Sequence, residues 1–323
     1  MICLGLEGTA HTFGCSIINE EGKILVDERS IYKPPLGKGI IPRDAAIHHS
    51  ENAISVIKNA LKKARIELKD VGFVAFSAGP GMPPCLRITA IVARCLALKY
   101  KKPLVPVCHP IGHIEIGKLT TGAKDPIIVY LSGANTQVIS FVEGRYRIIG
   151  ETQNLPLGNA IDMLARELNL PMPGGPEIEK LALKGKYITL PYTVKGCDLS
   201  FSGILTEAIK KYKQGAKAED IAYSFQETCF AMLAEVTERA MAHTDKEEAL
   251  LVGGVAANKR LQEMLKTMCE ERGAKFFVVP QEYSGDNAAM IGWTGILAHQ
   301  RGYEVSVENS QIKQKWRIDE VEW

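Results

Sequence analysis

The chain begins with MICLGLEGTAHTFGCSIINEEGKILVD, residues 1–27, in which apolar runs alternate with glycine-containing turns. Ile2–Leu6 and Phe13–Ile18 are predicted strands, and Glu7-Gly-Thr-Ala10 separates them. A second turn, Asn19-Glu-Glu-Gly22, leads into a third apolar run. The opening therefore predicts three short consecutive strands.

The same plan occurs again in the second half of the chain. Pro126–Leu131 runs into Ser132-Gly-Ala-Asn-Thr136, and two further predicted strands follow. Each half then has a helix and a buried strand, Asp70–Ser77 or Glu247–Val252, that ends at a glycine-rich turn. The duplication predicts an α/β protein of two similar lobes whose glycine turns face a ligand-binding cleft.

The repeat also predicts the domain boundaries. Residues 1–124 form the predicted N-terminal lobe and residues 125–323 the predicted C-terminal lobe, which has a helical insertion at about 154–246. The last helix and the tail are predicted to pack back on the N-terminal lobe.

The composition limits the functional classes. Of the 323 residues 46% are hydrophobic, and 39 Lys and Arg against 37 Asp and Glu give a net charge of +2. This excludes a strongly basic body that would hold nucleic acid by charge alone, and also a disordered polyelectrolyte. The sequence has no apolar run near the roughly 20 residues of a membrane helix, no visible signal peptide and no Cys-x-x-Cys pair. We therefore expect a cytoplasmic protein whose eight cysteines are reduced.

Four glycine-containing turns occupy equivalent places in the two halves: Glu7-Gly-Thr9, Gly79-Pro-Gly81, Ser132-Gly-Ala-Asn-Thr136 and Gly253-Gly-Val-Ala-Ala-Asn258. Successive N–H groups near a glycine can cradle a phosphate because no Cβ obstructs the approach. One such turn is usually an ordinary turn, but four in equivalent positions favour a nucleotide site. They match neither the Gly-x4-Gly-Lys-Ser/Thr loop nor the Gly-x-Gly-x-x-Gly fingerprint.

His109-Pro-Ile-Gly-His113 places two imidazoles on one face of a predicted helix, where they could share a metal ion, although such a pair also arises by chance. Pro110 stands where the His-Glu-x-x-His motif has its catalytic Glu, so a zinc peptidase of that class would lack its base. Asp286 opens the last long helix and is a candidate ligand or a capping residue. Tyr130 fits a core tyrosine as well as a cleft tyrosine.

Other polar residues leave similar alternatives. His48 and His49 lie on a helix predicted from Pro42 to Lys63, where one solvent-facing and one packed histidine would explain them. Asp162 and Glu179 follow glycines in the inserted stretch, where they could meet ribose hydroxyls or face solvent.

Together these segments resemble, from end to end, the universal tRNA threonylcarbamoyladenosine synthase family. It comprises bacterial TsaD and the catalytic subunit of the archaeal and eukaryotic KEOPS complex, formerly labelled O-sialoglycoprotein endopeptidase, and the chain looks like the archaeal and eukaryotic branch. The matching segments, in the family's order, are Gly5–His11, Ser77–Gly81 with Leu86 and Arg87, His109–His113, Tyr130–Thr136, Gly158–Asp162, Gly174–Glu179, Asp198–Gly203, Gly253–Asn258 and Gly285–Asn287.

The resemblance implies the fold and the reaction. The fold is that of actin-like ATPases, sugar kinases and heat-shock proteins (ASKHA), with duplicated RNase H-like lobes. The reaction moves the threonylcarbamoyl group of threonylcarbamoyl-AMP to N6 of the adenosine 3′ of the anticodon, in tRNAs that read codons beginning with A.

The resemblance also implies site residues. One iron ion, Fe²⁺ or Fe³⁺ with zinc as the alternative, would be held by His109, His113, Tyr130 and Asp286. Threonylcarbamoyl-AMP, or ATP or AMP as an analogue, would be bound by Tyr130, Leu131, Ser132, Gly133, Ala134, Asp162, Gly175, Glu179 and Asn258. We hypothesise that Glu7, His48 or His49 takes the proton of the adenine amine.

Two positions depart from the family pattern. Ala134 replaces the second glycine of Ser-Gly-Gly-Asn-Thr, and its methyl would clash if the turn required a positive φ there. Ser284-Gly285 replaces the Arg or Cys-Arg that often precedes Asp286. Neither change removes a predicted ligand, so we expect binding to be retained with an altered fit.

Three other functions are alternatives to the transferase. A small-molecule kinase or ATPase of the ASKHA fold would need acidic Mg²⁺ ligands, and often has Asp where this chain has Glu7. A catalytically inert nucleotide-binding scaffold would not need the metal-ligand residues, and a metallopeptidase would lack its Glu.

The transferase interpretation predicts partners. With a net charge of only +2, the single chain is expected to bind tRNA weakly. The resemblance implies the KEOPS subunits as helpers: the small atypical kinase, the dimerising subunit and the tRNA-tail-binding subunit.

Overall fold

Strands and helices alternate along residues 1–34 and 39–322, which are the residues that the computed structural model describes. The strands are β1 Ile2–Glu7, β2 Thr12–Asn19, β3 Ile24–Ile31, β4 Phe73–Gly79, β5 Leu104–Cys108, β6 Ile127–Leu131, β7 Thr136–Val142, β8 Arg145–Glu151, β9 Val194–Lys195, β10 Asp198–Leu199, β11 Glu248–Val252 and β12 Lys275–Val278. The α-helices are α1 Pro42–Ala64, α2 Pro83–Tyr100, α3 His109–Thr121, α4 Leu157–Glu167, α5 Gly174–Ala182, α6 Ser202–Lys213, α7 Ala218–Thr244, α8 Lys259–Glu271, α9 Gln281–Ser284 and α10 Ala288–Gln300. None of these helices is long and apolar enough to cross a membrane.

Two units share the chain. One comprises Met1–Leu119 with Gly285–Trp323, and the other comprises Thr120–Ser284. The division therefore has two breaks, whereas the predicted lobes 1–124 and 125–323 have one. The second break exists because α10 packs on β1, β2 and β4 of the first unit.

Each unit is built on a five-stranded mixed sheet with the same strand order. The order is β3-β2-β1-β4-β5 in the first unit and β8-β7-β6-β11-β12 in the second. In the first sheet β1, β2 and β3 pair in antiparallel fashion, and β4 and β5 run parallel to β1. In the second sheet β6, β7 and β8 pair in antiparallel fashion, and β11 and β12 run parallel to β6. The predicted duplication and the predicted α/β fold class are confirmed.

Helix α1 packs on one face of the first sheet and α10 packs on the other. Side chains alternate between these two faces along each strand. Phe13 points to the face of α1 and contacts the His49 ring, with 5.6 Å between ring centroids. Ser16 points to the other face, where its Oγ donates to the Ala288 carbonyl at 2.7 Å. A Cβ on Gly5 would lie 2.6 Å from the Gly292 nitrogen, so glycine at this position is what allows α10 to approach the sheet.

The C-terminal tail follows the first unit. The Lys313 N–H donates to the Ala78 carbonyl at 2.7 Å, and the Trp316 side chain is buried. A Cβ on Gly79, whose φ is +152°, would lie 1.9 Å from the Lys313 carbonyl oxygen. The tail therefore packs tightly against the end of β4.

Candidate metal and nucleotide sites

Three predicted metal ligands meet in the first unit. His109 and His113 lie in the first two turns of α3, and their Nε2 atoms are 3.2 Å apart. Asp286 Oδ1 lies 3.5 Å from the first Nε2 and 3.4 Å from the second. Donor atoms bound to one ion at about 2.0–2.2 Å are about 3.0–3.5 Å from each other. The donor set therefore fits a single metal ion, and it is the one such group found among the described residues.

Local structure explains why Asp286 is available as a ligand. The N-cap of α10 is Asn287, whose Oδ1 accepts the Met290 N–H at 2.9 Å. Asp286 comes one residue before this cap. Asn287, and not Asp286, therefore caps the helix, which leaves the Asp286 carboxylate available for a metal ion. A Cβ on Gly112 would lie 3.2 Å from Met290 Cγ, which shows how closely α3 approaches α10.

A buried carboxylate contacts Nδ1 of His109, the ring nitrogen that does not face Asp286. Glu7 is fully buried at the end of β1, and its Oε2 lies 3.1 Å from His109 Nδ1. Its Oε1 accepts the Thr9 N–H at 2.8 Å and the Thr9 hydroxyl at 2.6 Å. Metal-binding histidines commonly donate their second ring N–H to such a carboxylate, which fixes the ring and its tautomer. Thr9 was missed by sequence reasoning, because only its place in the Glu-Gly-Thr turn signals it.

The titratable groups of the site shift one another's pKa values. Burial alone would lower the pKa of His109, but Glu7 and Asp286 outweigh it and raise that pKa well above the ordinary value. Burial lowers the pKa of His113, and the charge of His109 adds to this effect. Burial would raise the pKa of Asp286, yet its hydrogen bonds with the two histidines bring the pKa well below the usual value.

The predicted proton acceptors on α1 lie elsewhere. His49 is fully buried against Phe13, on the opposite face of the sheet from Ser16 and α10. Burial, with a contribution from the neighbouring His48, lowers its pKa to about 4. His48 Nε2 lies 2.9 Å from the Ser30 hydroxyl. Glu7 is hydrogen-bonded to the metal-ligand group, whereas neither His48 nor His49 belongs to that group. His49 does lie beside the turn that follows Glu7, because a Cβ on Gly8 would be 3.4 Å from its ring and the Glu7 charge acts to raise its pKa.

The remaining predicted ligand-binding residues belong to the second unit. Tyr130 and Leu131 are fully buried at the end of β6. Ser132 organises the turn that follows, because its Oγ accepts the N–H groups of Ala134 at 3.2 Å and Asn135 at 3.0 Å. Neither Gly133 nor Ala134 is among the described residues with positive φ, so the Ala134 methyl fits the turn without backbone strain.

Two of the predicted adenylate ligands line a small cavity in the second unit, of about 10 Å³. Gly175 and Asn258 line it together with apolar residues of α4, α5 and α7. The Asn258 Nδ2 donates to Gln226 Oε1 at 3.0 Å. Gln226 was also missed, since a lone glutamine on a long helix gives no motif.

Two further predicted ligands, both carboxylates, contact backbone next to residues that line this cavity. Asp162 Oδ1 accepts the Gly174 N–H at 2.9 Å, and Glu179 Oε1 accepts the Lys259 N–H at 2.6 Å. Burial raises the pKa of Asp162. Both side chains thus tie the starts of α5 and α8 to their surroundings.

The duplicated sheets define the class of protein: an α/β protein with the fold of actin-like ATPases, sugar kinases and heat-shock proteins. The HypF structure from T. kodakarensis is similar with a TM-score of 0.65, at 16% identity over 93% of this chain and 48% of that chain. The activator of 2-hydroxyisocaproyl-CoA dehydratase from Clostridium difficile is similar with a TM-score of 0.55, at 13% identity over 94% of this chain and 97% of that chain. At these identities the likeness concerns the fold alone.

The family follows from sequence similarity. The chain belongs to the TsaD family, described as tRNA N6-adenosine threonylcarbamoyltransferase, whose sequence model matches residues 23–293. It is 56% identical over 324 residues to the tRNA N6-adenosine threonylcarbamoyltransferase of Thermococcus sibiricus, a match that covers 100% of this chain and 99% of that relative. The family resemblance drawn from the motifs is thereby confirmed.

Proposed function

We propose that this chain is an acyltransferase that moves the threonylcarbamoyl group of threonylcarbamoyl-AMP to N6 of the adenosine 3′ of the tRNA anticodon. The observation that carries the proposal is the convergence of His109, His113 and Asp286 in a chain that matches such transferases over its whole length. In the reaction the adenine N6 bonds to the carbamoyl carbon, the bond from that carbon to the AMP oxygen breaks, and one proton leaves N6.

We further propose that His109, His113, Tyr130 and Asp286 hold one iron ion. When bound, the ion would supply Lewis-acid polarisation and a fixed template. Two imidazoles and a carboxylate within mutual reach support this proposal, whereas Mg²⁺ prefers an all-oxygen shell. Glu7 would orient His109, and since both of its oxygens are engaged we assign it to positioning rather than to proton transfer.

The second unit would bind the adenylate. The turn Ser132–Asn135 offers exposed backbone near the start of α4, where a helix N-terminus favours an anion. Gly175 and Asn258, which line the small cavity of this unit, would meet the nucleoside. The leaving group is already activated as AMP, so orientation of the weakly nucleophilic amine would supply much of the rate.

The test is replacement of His109 by Ala, with metal content and transfer to tRNA measured on the same protein. Loss of a direct ligand should cost more than the roughly 10–100-fold that loss of an outer partner costs. His243→Ala, at an exposed histidine of the second unit, is the matched control and should behave as the parent. Full transfer by metal-free His109→Ala protein would contradict the metal role, and phosphorylation of a small acceptor from ATP would instead favour a kinase.

We also propose that tRNA is handled with KEOPS-type partner subunits. Exposed apolar side chains on two helices of the first unit support a partner surface: Ile47 and Ile54 on α1, and Ile91 and Leu98 on α2. A net charge of +2 supports shared rather than solitary tRNA binding.

A further inference from the structure

The edge strand β3 reaches the start of α10 with two side chains, Asp27 and Arg29. Ser16 pairs with Asp27 and Gly14 pairs with Arg29 in the sheet, so these side chains lie on the face where α10 packs. Gly14 carries no side chain, and a Cβ there would lie 3.1 Å from Ala288 Cβ. The missing side chain lets the first turn of α10 come within reach of β3.

Asp27 binds the start of the helix. Its Oδ1 accepts the Ala288 N–H at 2.9 Å and the Ala289 N–H at 3.1 Å. These groups have no acceptor within the helix, as the first N–H groups of any helix lack one. The third such group, on Met290, is taken by the local cap Asn287. Asp27 therefore adds two hydrogen bonds from strand β3 to the start of α10, a helix that already has its own cap.

Arg29 extends that link to Asp286. Its Nη2 donates to Asp27 Oδ2 at 2.8 Å, and its Nη1 donates to the backbone carbonyl of Asp286 at 3.3 Å. Asp286 precedes α10, so helical hydrogen bonds do not fix its backbone. The carbonyl contact and the anchored first turn together fix the backbone that follows the Asp286 Cα.

We propose that Asp27 and Arg29 are positioning residues that aim the Asp286 carboxylate at His109 and His113. This inference rests on the metal site proposed above. The planar guanidinium presents its two Nη donors in a fixed fork, one to the Asp27 carboxylate and one to the Asp286 carbonyl, whereas a lysine ammonium is a single donor atom on a flexible stem. Glu7 of β1 pairs with Gly14 of β2, and Gly14 pairs in turn with Arg29 of β3. Residues at one cross-strand position of the sheet therefore support both His109 and Asp286.

The experiment measures metal binding rather than activity alone. Co²⁺ and Zn²⁺ affinities are determined by chelator competition for the parent, Arg29→Gln, Arg29→Lys and Asp27→Asn, together with the visible Co²⁺ spectrum and the thermal midpoint. Glu28→Gln is the matched control, since Glu28 lies between the two residues on β3 and pairs with Lys63 at 2.5 Å.

We expect Arg29→Gln to lower metal affinity about 10-fold and to change the Co²⁺ spectrum, as loss of an outer partner does. Arg29→Lys should recover part of the affinity, and Glu28→Gln should match the parent. A merely structural role would lower the thermal midpoint without changing the spectrum, and that result overturns the proposal. Parent affinity and spectrum in Arg29→Gln overturn it as well, even if Asp27→Asn fails to fold. A parent chain that binds neither ion overturns the metal site itself, whatever the variants do.

Discussion

Glu7 makes three hydrogen bonds inside the protein, two with Thr9 and one with His109, and has no exposed surface. A carboxylate in that state is well placed to hold an imidazole and poorly placed to meet a substrate amine. The same argument applies to Thr9, whose hydroxyl lies 3.2 Å from His109 Nδ1 as well as contacting Glu7. The two residues act on one ring, so their effects should not be additive.

Glu7→Gln is expected to lower metal affinity about 10-fold, because a neutral amide supports the His109 ring less well than a carboxylate. Added metal should then restore much of the transfer rate. Chelator competition and transfer assays at rising metal concentration check this, with Glu20→Gln, at an exposed glutamate, as the control. Parent metal affinity combined with no transfer at any metal concentration would return Glu7 to the role of base.

The end of β11 depends on one glycine. Gly253 has a φ of +93°, and a Cβ there would lie 2.2 Å from the Leu131 carbonyl oxygen at the end of β6. The adjacent strands thus come together at the two turns that were predicted to bind nucleotide. The next residue, Gly254, has open space around a hypothetical Cβ.

Gly253→Ala is therefore expected to cost about 2 kcal/mol or more in the free energy of unfolding, since it combines a strained φ with a backbone clash. Gly254→Ala is the matched control and should change it by less than about 0.5 kcal/mol. Denaturant titration of both variants measures the difference, and equal costs would show that the close approach does not constrain the turn.

Helix α1 carries a buried titratable group at His49. Its pKa of about 4 lies below the ordinary value, so the unfolded chain takes up the proton first as pH falls. Above about pH 6.5 the histidine is neutral in both the folded and the unfolded chain, so it adds no pH dependence to stability. Between about pH 6.5 and 4 only the unfolded chain binds the proton, so the free energy of unfolding falls with pH, and the loss is complete below about pH 4.

His49→Gln should remove this dependence. From pH 7 to pH 5 the parent is expected to lose about 1–2 kcal/mol more unfolding free energy than the variant. Denaturant titrations at the two pH values measure the loss, and His243→Gln, at an exposed histidine, should keep the parental slope. Equal losses in parent and His49→Gln would contradict a neutral buried histidine.

The whole molecule repeats one sheet design and uses it differently in each half. The first unit has histidines and carboxylates where α3 and α10 meet, whereas the second has glycine-containing turns where β6 and β11 end. The small net charge and the exposed apolar side chains on α1 and α2 are consistent with a protein that works with other subunits.

The double variant Ile54→Glu and Leu98→Glu is expected to weaken association with partner subunits more than 10-fold, because charges would replace side chains that are 67% and 64% exposed. Its thermal midpoint and metal content should match the parent. Leu183→Glu, at a side chain 83% exposed in the second unit, is the control. Co-purification and tRNA binding with and without the partners measure the effect; unchanged association would place the partner surface elsewhere.

Local patterns were enough for much of this structure. The helix predicted over Pro42–Lys63 is α1 to within one residue, and the turn after β6 begins where the apolar run ends. These features depend on neighbours in sequence, which set periodicity and turn chemistry. The motif resemblance added the family and the candidate ligands.

Pairings between distant segments needed the tertiary structure. Asp286 follows His109 by more than 170 residues, and its neighbour Asn287 rather than Asp286 caps α10. The links from Glu7 to His109 and from Arg29 to Asp286 have no periodicity or motif, because they arise from cross-strand register and helix packing. Residue type and local order thus indicated which groups could bind a metal, while the sheet register decided which groups hold them in place.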